Sequence, residues 1–220
     1  TDQELKQLAK IPMNKKFVTE KDDVEATFKK ASDAAGVEYP SALVKKLMDD
    51  STGPILKLKK HFNRPRPSAL AKKKNMKLES IELKSMNTPS YPSGHSAQGV
   101  LIGEALADMY PKSAAKFRKA GKDISRSRNI ARAHYKSDSK FGEDLGKEMY
   151  KHYKDNMSKS PMTKKPKGAP DWHDSDAPDA KGKFRDLSAS GLASWLIKSR
   201  GGNLSKIISS LNQQIVFNRK

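Results

Sequence analysis

Apolar residues recur at intervals of three and four along most of this chain, while alternating β-branched segments are scarce. This spacing places the apolar side chains on one face of a helix, so it predicts an all-α fold, a helical bundle. The predicted helices are a short one around Leu5 and Leu8, one starting near Thr19 or Lys21, one capped by Ser41, and others over 51–62, 94–110, 113–137 and 141–153. Within 94–110, the residues predicted to face inward are Val100, Leu101, Ala105, Leu106 and Met109.

Prolines and changes of composition divide the chain further. Pro65 and Pro67 must end the preceding helix by Asn63, because proline removes a donor and blocks the helical turn. Residues 68–90 are predicted to form a long basic loop. Residues 156–186 are rich in Lys, Pro, Asp and Gly and are predicted to be a linker. It would join a helical domain, 1–155, to a basic two-helix appendage, 187–220, with a turn at Gly201 and Gly202.

The chain carries 44 Lys and Arg against 25 Asp and Glu, a net charge of +19. Such an excess attracts anions, among them nucleic acid, anionic membrane surfaces and phosphorylated small molecules. The absence of cysteine excludes disulfides, a thiol nucleophile and cysteine-based metal sites. The sequence contains no apolar run of about 18 residues, so no transmembrane helix is predicted.

The first residues, TDQELKQLAK, lack the apolar segment of a signal peptide. Removal of an initiator methionine before Thr1 is the simpler interpretation and predicts an intracellular, cytoplasmic protein. A signal peptide cleaved before residue 1 would instead predict a periplasmic one.

Three short segments carry side chains suited to a phosphate ester: KKHFNRPRP at 59–67, SYPSGHS at 90–96 and SRNIARAHYKSD at 127–138. Phosphoryl transfer is catalysed mainly by positioning and by stabilising charge on the equatorial oxygens. Lys59, Arg66 and Arg128 are the candidate cations for that task. Gly94, at a predicted helix start, lets an anion approach free backbone N–H groups, and the Ser93 hydroxyl is a further donor.

Two histidines and an aspartate supply the proton and covalent chemistry. His134 and Asp138 are four residues apart, so on a helix they would share one face. Asp138 would then accept from one ring nitrogen of His134 and leave the other free to attack phosphorus. His95 would be available as the acid that protonates the leaving alkoxide. Since one histidine must be neutral and the other charged, we expect a bell-shaped pH optimum near or below a pKa of about 6.5.

The combination K-x6-R-P, P-S-G-H and S-R-x5-H-x3-D resembles the motif set of the type 2 phosphatidic acid phosphatase superfamily, over 56–138. That superfamily includes the class A non-specific acid phosphatases and the vanadium haloperoxidases. The similarity to class A enzymes is the greater, through the K-x-H-aromatic-x-R-x-R-P run and the tyrosine before PSGH.

This resemblance implies a helical bundle with a central phosphate pocket and a metal-independent acid phosphatase without a cofactor, inhibited by vanadate or phosphate. It implies a phosphohistidine intermediate on His134, with Asp138 as its partner and His95 as general acid. The implied phosphate-binding residues are Lys59, Arg66, Ser93, Gly94 and Arg128. The expected substrate is a phosphorylated small molecule.

Two points stay open in the motifs. Lys57 and Arg64 also satisfy K-x6-R-P, although His61, Phe62 and Arg64 match the class A run only when Lys59 and Arg66 are the pair. Arg128 and His134 are six residues apart, which on an ideal helix places them on different faces.

Two other functions compete with a phosphatase. The same pocket could hold vanadate in a haloperoxidase, although those enzymes are usually much longer. The basic appendage, with Lys198, Arg200 and Lys206, could bind nucleic acid. The alternative is a structural role, either as a packing element or as a contact in a homo-oligomer. A Lys-rich, cysteine-free chain with such an appendage also resembles proteins of bacteriophage origin, which would make this a viral assembly protein that retains a phosphatase fold.

Overall fold

The computed structural model describes residues 2–157 together with Trp195, Ile197, Lys198 and Gly201. Those residues form α-helices, two short 3₁₀ helices and connecting turns, with no strand among them, so the predicted all-α class is confirmed. The helices are α1 (Asp2–Ala9), α2 (Lys15–Asp22), α3 (Val24–Ala35), α4 (Ser41–Phe62), α5 (Pro67–Lys73), α6 (Gly94–Met109), α7 (Ala114–Ile130) and α8 (Lys136–Met157). The 3₁₀ helices are Lys84–Asn87 and Pro111–Ser113.

The chain divides into two compact units, Thr1–Tyr150 and Lys151–Lys220. The predicted linker at 156–186 and the predicted appendage at 187–220 lie outside the described residues, except for the few named above. Gly201 is one of these, and it lies in a turn with φ of 57° in which its N–H donates to Lys198 O. The domain organisation drawn from the sequence therefore stays a prediction.

Helix α6 lies at the centre of the first unit and is buried on nearly all sides. Helices α7 and α8 approach it so closely that glycine is required where they cross. A Cβ on Gly121 of α7 would overlap the carbonyl oxygen of Gly99, and a Cβ on Gly146 of α8 would overlap that of Ala97. Of the residues predicted to face inward, Val100, Leu101, Ala105 and Leu106 are buried, but Met109, at the helix end, is 46% exposed, so that prediction was wrong.

The boundaries of the first helices differ from the prediction. Thr19 and Lys21 lie inside α2, and the break falls at Asp23, whose side chain accepts the N–H of Ala26 and so caps α3. The helices predicted from Ser41 and over 51–62 are one continuous helix, α4, with Pro54 inside it. Its buried face runs through the proline at helical spacing, which explains the continuity: Val44, Leu47, Ser51, Ile55, Leu58 and Lys59.

The N-terminus of α4 also differs, because Pro40 is the N-cap and makes no side-chain cap bond. The predicted end of this helix is confirmed: α4 stops at Phe62, and Asn63 has φ of 42°.

The predicted loop at 68–90 contains α5 and one of the 3₁₀ helices, so it is not a structureless loop. Ala71 of α5 packs with Leu5 and Leu8 of α1 against Tyr135, which draws this segment onto the core. The local sequence did not predict α5, because this contact joins residues that are far apart in the chain. Within the described residues, no helix combines the length and apolar character that crossing a bilayer requires.

Candidate active site

His134 lies in a tight turn between α7 and α8. Helix α7 ends at Ile130, and the N–H groups of Ala133 and His134 both point back to Arg128 O, at 3.0 and 3.4 Å. The chain reverses direction at Arg132, whose φ is 58°. The Arg132 guanidinium donates to the carbonyls of Glu79, Ala9 and Ile11.

His134 is therefore not on a helix, and the prediction that it shares a helical face with Asp138 was wrong. Asp138 is in the first turn of α8, where its carboxylate accepts the N–H of Tyr135. The same turn resolves the six-residue spacing of Arg128 and His134, because the chain folds back onto the end of α7.

The two ring nitrogens of His134 have different partners. Nδ1 lies 3.4 Å from Oδ2 of Asp138, and Nε2 lies 2.9 Å from Nη1 of Arg66. Arginine can only donate, so Nε2 must be the acceptor and Nδ1 must carry the proton. Burial is the main cause that lowers the pKa of His134 to about 3; the hydrogen bond to Asp138 opposes it, and the charge of Arg66 adds to it. His134 is thus neutral, with the lone pair on Nε2.

Asp138 is fully buried, and each of its oxygens accepts strong hydrogen bonds. Ser90 Oγ donates to Oδ2 at 2.5 Å, and Arg64 Nη1 lies 2.5 Å from Oδ1. Burial alone would raise the pKa of Asp138, but the hydrogen bond and charge of His134, the charge of Arg64 and the Ser90 hydroxyl outweigh it and lower the pKa. The carboxylate is therefore held in its ionised form.

The two candidate Lys/Arg pairs lie in different surroundings. Lys59 is buried and donates to Pro89 O at 2.7 Å, whereas Lys57 is exposed. Arg66 contacts His134 and also donates to the carbonyls of Ala133 and Thr88. Arg64 contacts Asp138 instead. The structure brings Lys59 and Arg66, and not Lys57, to the side of His134.

The cations of this cluster are buried close to one another, where solvent screens their mutual repulsion weakly. Burial, followed by the charge of Arg66, lowers the pKa of Lys59 to about 7. Burial is also the main cause that lowers the pKa of Arg66 to about 10; the charge of Asp138 opposes it, and that of Arg128 adds to it. An anion bound among these groups would relieve that repulsion.

Arg128 is 1% exposed and only partly satisfied. Its Nη1 donates to Oδ1 of Asp22 at 2.8 Å, and its Nε donates to Ser127 Oγ at 3.1 Å. Its Nη2 is buried and finds no hydrogen-bond partner in the described part of the chain. A buried guanidinium nitrogen without an acceptor suits a phosphate oxygen.

The PSGH segment forms the N-terminus of α6, beside Lys59 and Asp138. Ser93 is the N-cap, and its Oγ accepts the N–H of Ser96 while its own N–H donates to Asp138 O at 3.1 Å. A Cβ on Gly94 would lie 3.8 Å from Cε of Lys59. The Ser93 hydroxyl, predicted as a phosphate donor, lies 2.8 Å from Ser96 Oγ.

That contact continues as a buried polar chain that the sequence did not reveal. Ser125 Oγ lies 2.9 Å from Ser96 Oγ and donates to Oε1 of Glu143 at 2.6 Å. Helices α7 and α8 thereby both hold the turn that begins α6.

His95 lies near the surface of the cluster, with its side chain 21% exposed. Its Nε2 is 3.2 Å from Asp22 O and 3.8 Å from Asp22 Oδ1. Burial and the charge of Arg128 lower the pKa of His95 to about 4, and Asp22 opposes that shift.

Asp22, at the end of α2, therefore bridges His95 and Arg128, and it belongs to no motif. Its position depends on the packing of α2 against α7, so no signal in the sequence could have identified it.

All eight predicted residues thus lie in one connected cluster: Lys59, Arg66, Ser93, Gly94, His95, Arg128, His134 and Asp138. None of them lines the cavity of about 570 Å³ between the α1–α2 connection and the α7–α8 turn, whose walls include Ile11, Phe17, Arg126 and Lys136. Among the residues that the structure describes, no three His, Asp or Glu side chains are grouped so as to hold a metal ion.

The chain is similar to an acid phosphatase. It is 34% identical over 88 residues to the non-specific acid phosphatase of Salmonella typhimurium (strain LT2), a match that covers 40% of this chain and 35% of that protein. The chain thus matches about a third of the length of this curated relative. No family model matches the chain, and no solved structure matches it. The similarity indicates a relationship to phosphatases.

Proposed function

We propose that this protein is a metal-independent acid phosphatase that hydrolyses phosphate monoesters through a phosphohistidine intermediate on His134. The arrangement of His134 carries the proposal: a neutral, buried imidazole whose Nδ1–H faces a carboxylate and whose Nε2 lone pair faces a cationic cluster. The similarity to a non-specific acid phosphatase supports the same reaction class.

In the first step, a phosphoryl oxygen accepts the hydrogen bond that Arg66 Nη1 otherwise donates to Nε2 of His134. The lone pair of Nε2 is then free to react. Lys59, Arg66 and the unpartnered Nη2 of Arg128 stabilise the charge on the phosphoryl oxygens. The Nε2 lone pair forms a bond to phosphorus as the bond to the ester oxygen breaks. His95 gives its proton to that oxygen, and Nδ1–H of His134 stays hydrogen-bonded to Asp138.

In the second step, water attacks phosphorus and gives a proton to His95. The N–P bond breaks, and its electron pair returns to Nε2. Asp138, held ionised by its partners, stabilises the positive charge that the imidazole carries while phosphorylated. Free enzyme and inorganic phosphate result.

The two histidine pKa values predict an acid optimum. His134 must be deprotonated, so kcat/KM should rise with pH through the His134 pKa of about 3. His95 must be protonated, so kcat/KM should fall as pH rises through the His95 pKa of about 4. A bound phosphate raises the pKa of His95, so the falling limb of kcat should lie at higher pH than that of kcat/KM.

Asp22→Asn tests the direction in which the falling limb should move. The charge of Asp22 raises the pKa of His95, so its removal should move the falling limb to lower pH. Profiles of kcat and kcat/KM from pH 3 to 9 would check both expectations. Rates that rise steadily up to pH 9 would contradict the assignment of His95.

The reaction class is tested with p-nitrophenyl phosphate in the presence of EDTA, with and without orthovanadate. We expect turnover that EDTA leaves unchanged and vanadate inhibits, together with a phosphoenzyme that is labile to acid and stable to alkali, as phosphohistidine is. Loss of turnover in EDTA that Mg²⁺ or Zn²⁺ restores would refute the metal-independent mechanism. Bromide oxidation with vanadate and peroxide would favour the haloperoxidase instead.

A further inference from the structure

Arg64 contacts Asp138, the partner of the proposed nucleophile, and takes no direct part in the proposed reaction steps. Its Nη1 donates to Oδ1 of Asp138, its Nη2 donates to Oε2 of Glu4 at 2.6 Å, and its guanidinium stacks 3.9 Å from the ring centroid of Tyr135. Ser137 Oγ accepts from Arg64 Nη1 and also contacts Glu4. The guanidinium is thus held by two carboxylates, one hydroxyl and one aromatic ring.

Resting on the proposed function, we propose that Arg64, held in place by Glu4 of α1, is a positioning residue for the His134–Asp138 pair. Its role is to keep Asp138 a carboxylate, so that the proton stays on Nδ1 of His134 and the lone pair stays on Nε2.

The argument begins with the burial of Asp138. A carboxylate with no exposure to solvent is unstable unless it is paired, and it otherwise takes up a proton. The charged and titratable groups around it are His134, Arg64, Lys59, Arg66, Tyr91 and Tyr135. Of these groups, Arg64 is the permanent cation that donates a hydrogen bond to Asp138 in the described part of the chain.

A protonated Asp138 would reverse the polarity of the pair. Its O–H would donate to Nδ1 of His134, which would force the imidazole proton onto Nε2. Nε2–H cannot attack phosphorus, and it would face the donor Nη1 of Arg66. The contact of Arg64 Nη1 with Oδ1 disfavours this state. Against the effect of burial, the hydrogen bond and charge of His134 lower the pKa of Asp138, and the charge of Arg64 lowers it further.

Two measurements on R64Q, R64K and the wild type test this. The first is the tautomer of His134 from ¹⁵N–¹H correlations of the imidazole at pH 4 to 7, which needs no substrate. We expect the Nδ1–H tautomer in the wild type and a growing share of the Nε2–H tautomer in R64Q as pH falls. R64K should give an intermediate share, because lysine keeps the charge but cannot contact Asp138 and Glu4 through two separate nitrogens.

The second measurement is the pH profile. We expect R64Q to lower kcat about tenfold to a hundredfold and to move the rising, acid limb to higher pH, since Asp138 must now lose a proton before His134 can react. R118Q is the matched control, because it removes another Arg–Glu pair, Arg118 with Glu104 at 2.9 Å, that is partly exposed. It should leave the acid limb unchanged.

The outcomes separate the two proposals. If the wild type hydrolyses no monoester, the proposed function fails, and the tautomer of His134 still decides the role of Arg64. If the wild type is active and R64Q keeps both the Nδ1–H tautomer and the acid limb, the role of Arg64 is refuted and the phosphatase stands. A loss in R64Q that lowers kcat equally at every pH would indicate a structural role only.

Discussion

His134→Ala is expected to lower kcat for p-nitrophenyl phosphate by about 10⁴-fold or more, as removal of a covalent nucleophile generally does. The reason is that, in the proposed mechanism, Nε2 of His134 receives the phosphoryl group, and this nitrogen lies 2.9 Å from Nη1 of Arg66. Acid-labile phosphoenzyme should disappear together with turnover. The steady-state rate and the quenched phosphoenzyme level measure both.

The fold should survive this substitution. Asp138 keeps Arg64, Ser90 and the N–H of Tyr135 as partners, and Arg66 keeps its backbone carbonyls. His61→Ala is the matched control: it removes a half-buried histidine from the first motif, packed on Phe62, and should change kcat by less than about threefold.

His95→Asn gives the contrast within the site. It should still form phosphoenzyme from p-nitrophenyl phosphate, whose leaving group needs little acid assistance, but should release phosphate slowly. His134→Ala with wild-type turnover and intact thermal unfolding would exclude the covalent mechanism.

That the motif residues lie together could be expected from the sequence, because the three segments carry the side chains that a phosphate-ester site would need. Lys59, Arg66, Arg128, His95, His134 and Asp138 come from distant parts of the chain, and the structure gathers them in one cluster. Their contacts could not be predicted in the same way. That Arg64 pairs with Asp138, and Arg66 with His134, follows from how the α4–α5 connection lies across the α7–α8 turn.

The break before His134 shows where local reasoning fails. The segment from Ile130 to Tyr135 contains no glycine or proline, so its sequence is compatible with a continuous helix. Arg132 nevertheless adopts φ of 58°, and three carbonyls of distant segments hold its guanidinium. Those tertiary bonds offset the strain of the left-handed backbone. Asp22 and Glu4 escaped prediction for the same reason: only packing makes them neighbours of the site.

Gly121→Ala is expected to give a large loss of stability, about 3 kcal/mol or more in the free energy of unfolding. The added methyl would overlap the carbonyl oxygen and carbon of Gly99, which are backbone atoms and cannot rotate away. Helices α6 and α7 would have to separate. Urea unfolding followed by circular dichroism measures the change.

Gly53→Ala is the matched control, since a Cβ there meets no atom within 4 Å. Alanine favours a helix more than glycine does, but Pro54 restricts the helical conformation of the residue before it. Because these effects oppose each other, we expect the free energy of unfolding to change by less than about 1 kcal/mol. Equal losses in both variants would show that the close crossing of α6 and α7 is not what Gly121 provides.

Gly121→Ala also tests how the site is assembled. Ser93 caps α6, which begins with Gly94 and His95, and α7 carries Arg128. The separation of the two helices therefore sets the distance between the proposed anion-binding turn and the unpartnered guanidinium nitrogen. Gly121→Ala protein that still folds at low temperature should therefore bind orthovanadate more weakly than the wild type, while Gly53→Ala binds it equally. Unchanged vanadate affinity in folded Gly121→Ala would mean that the α6–α7 distance does not set the geometry of the anion site.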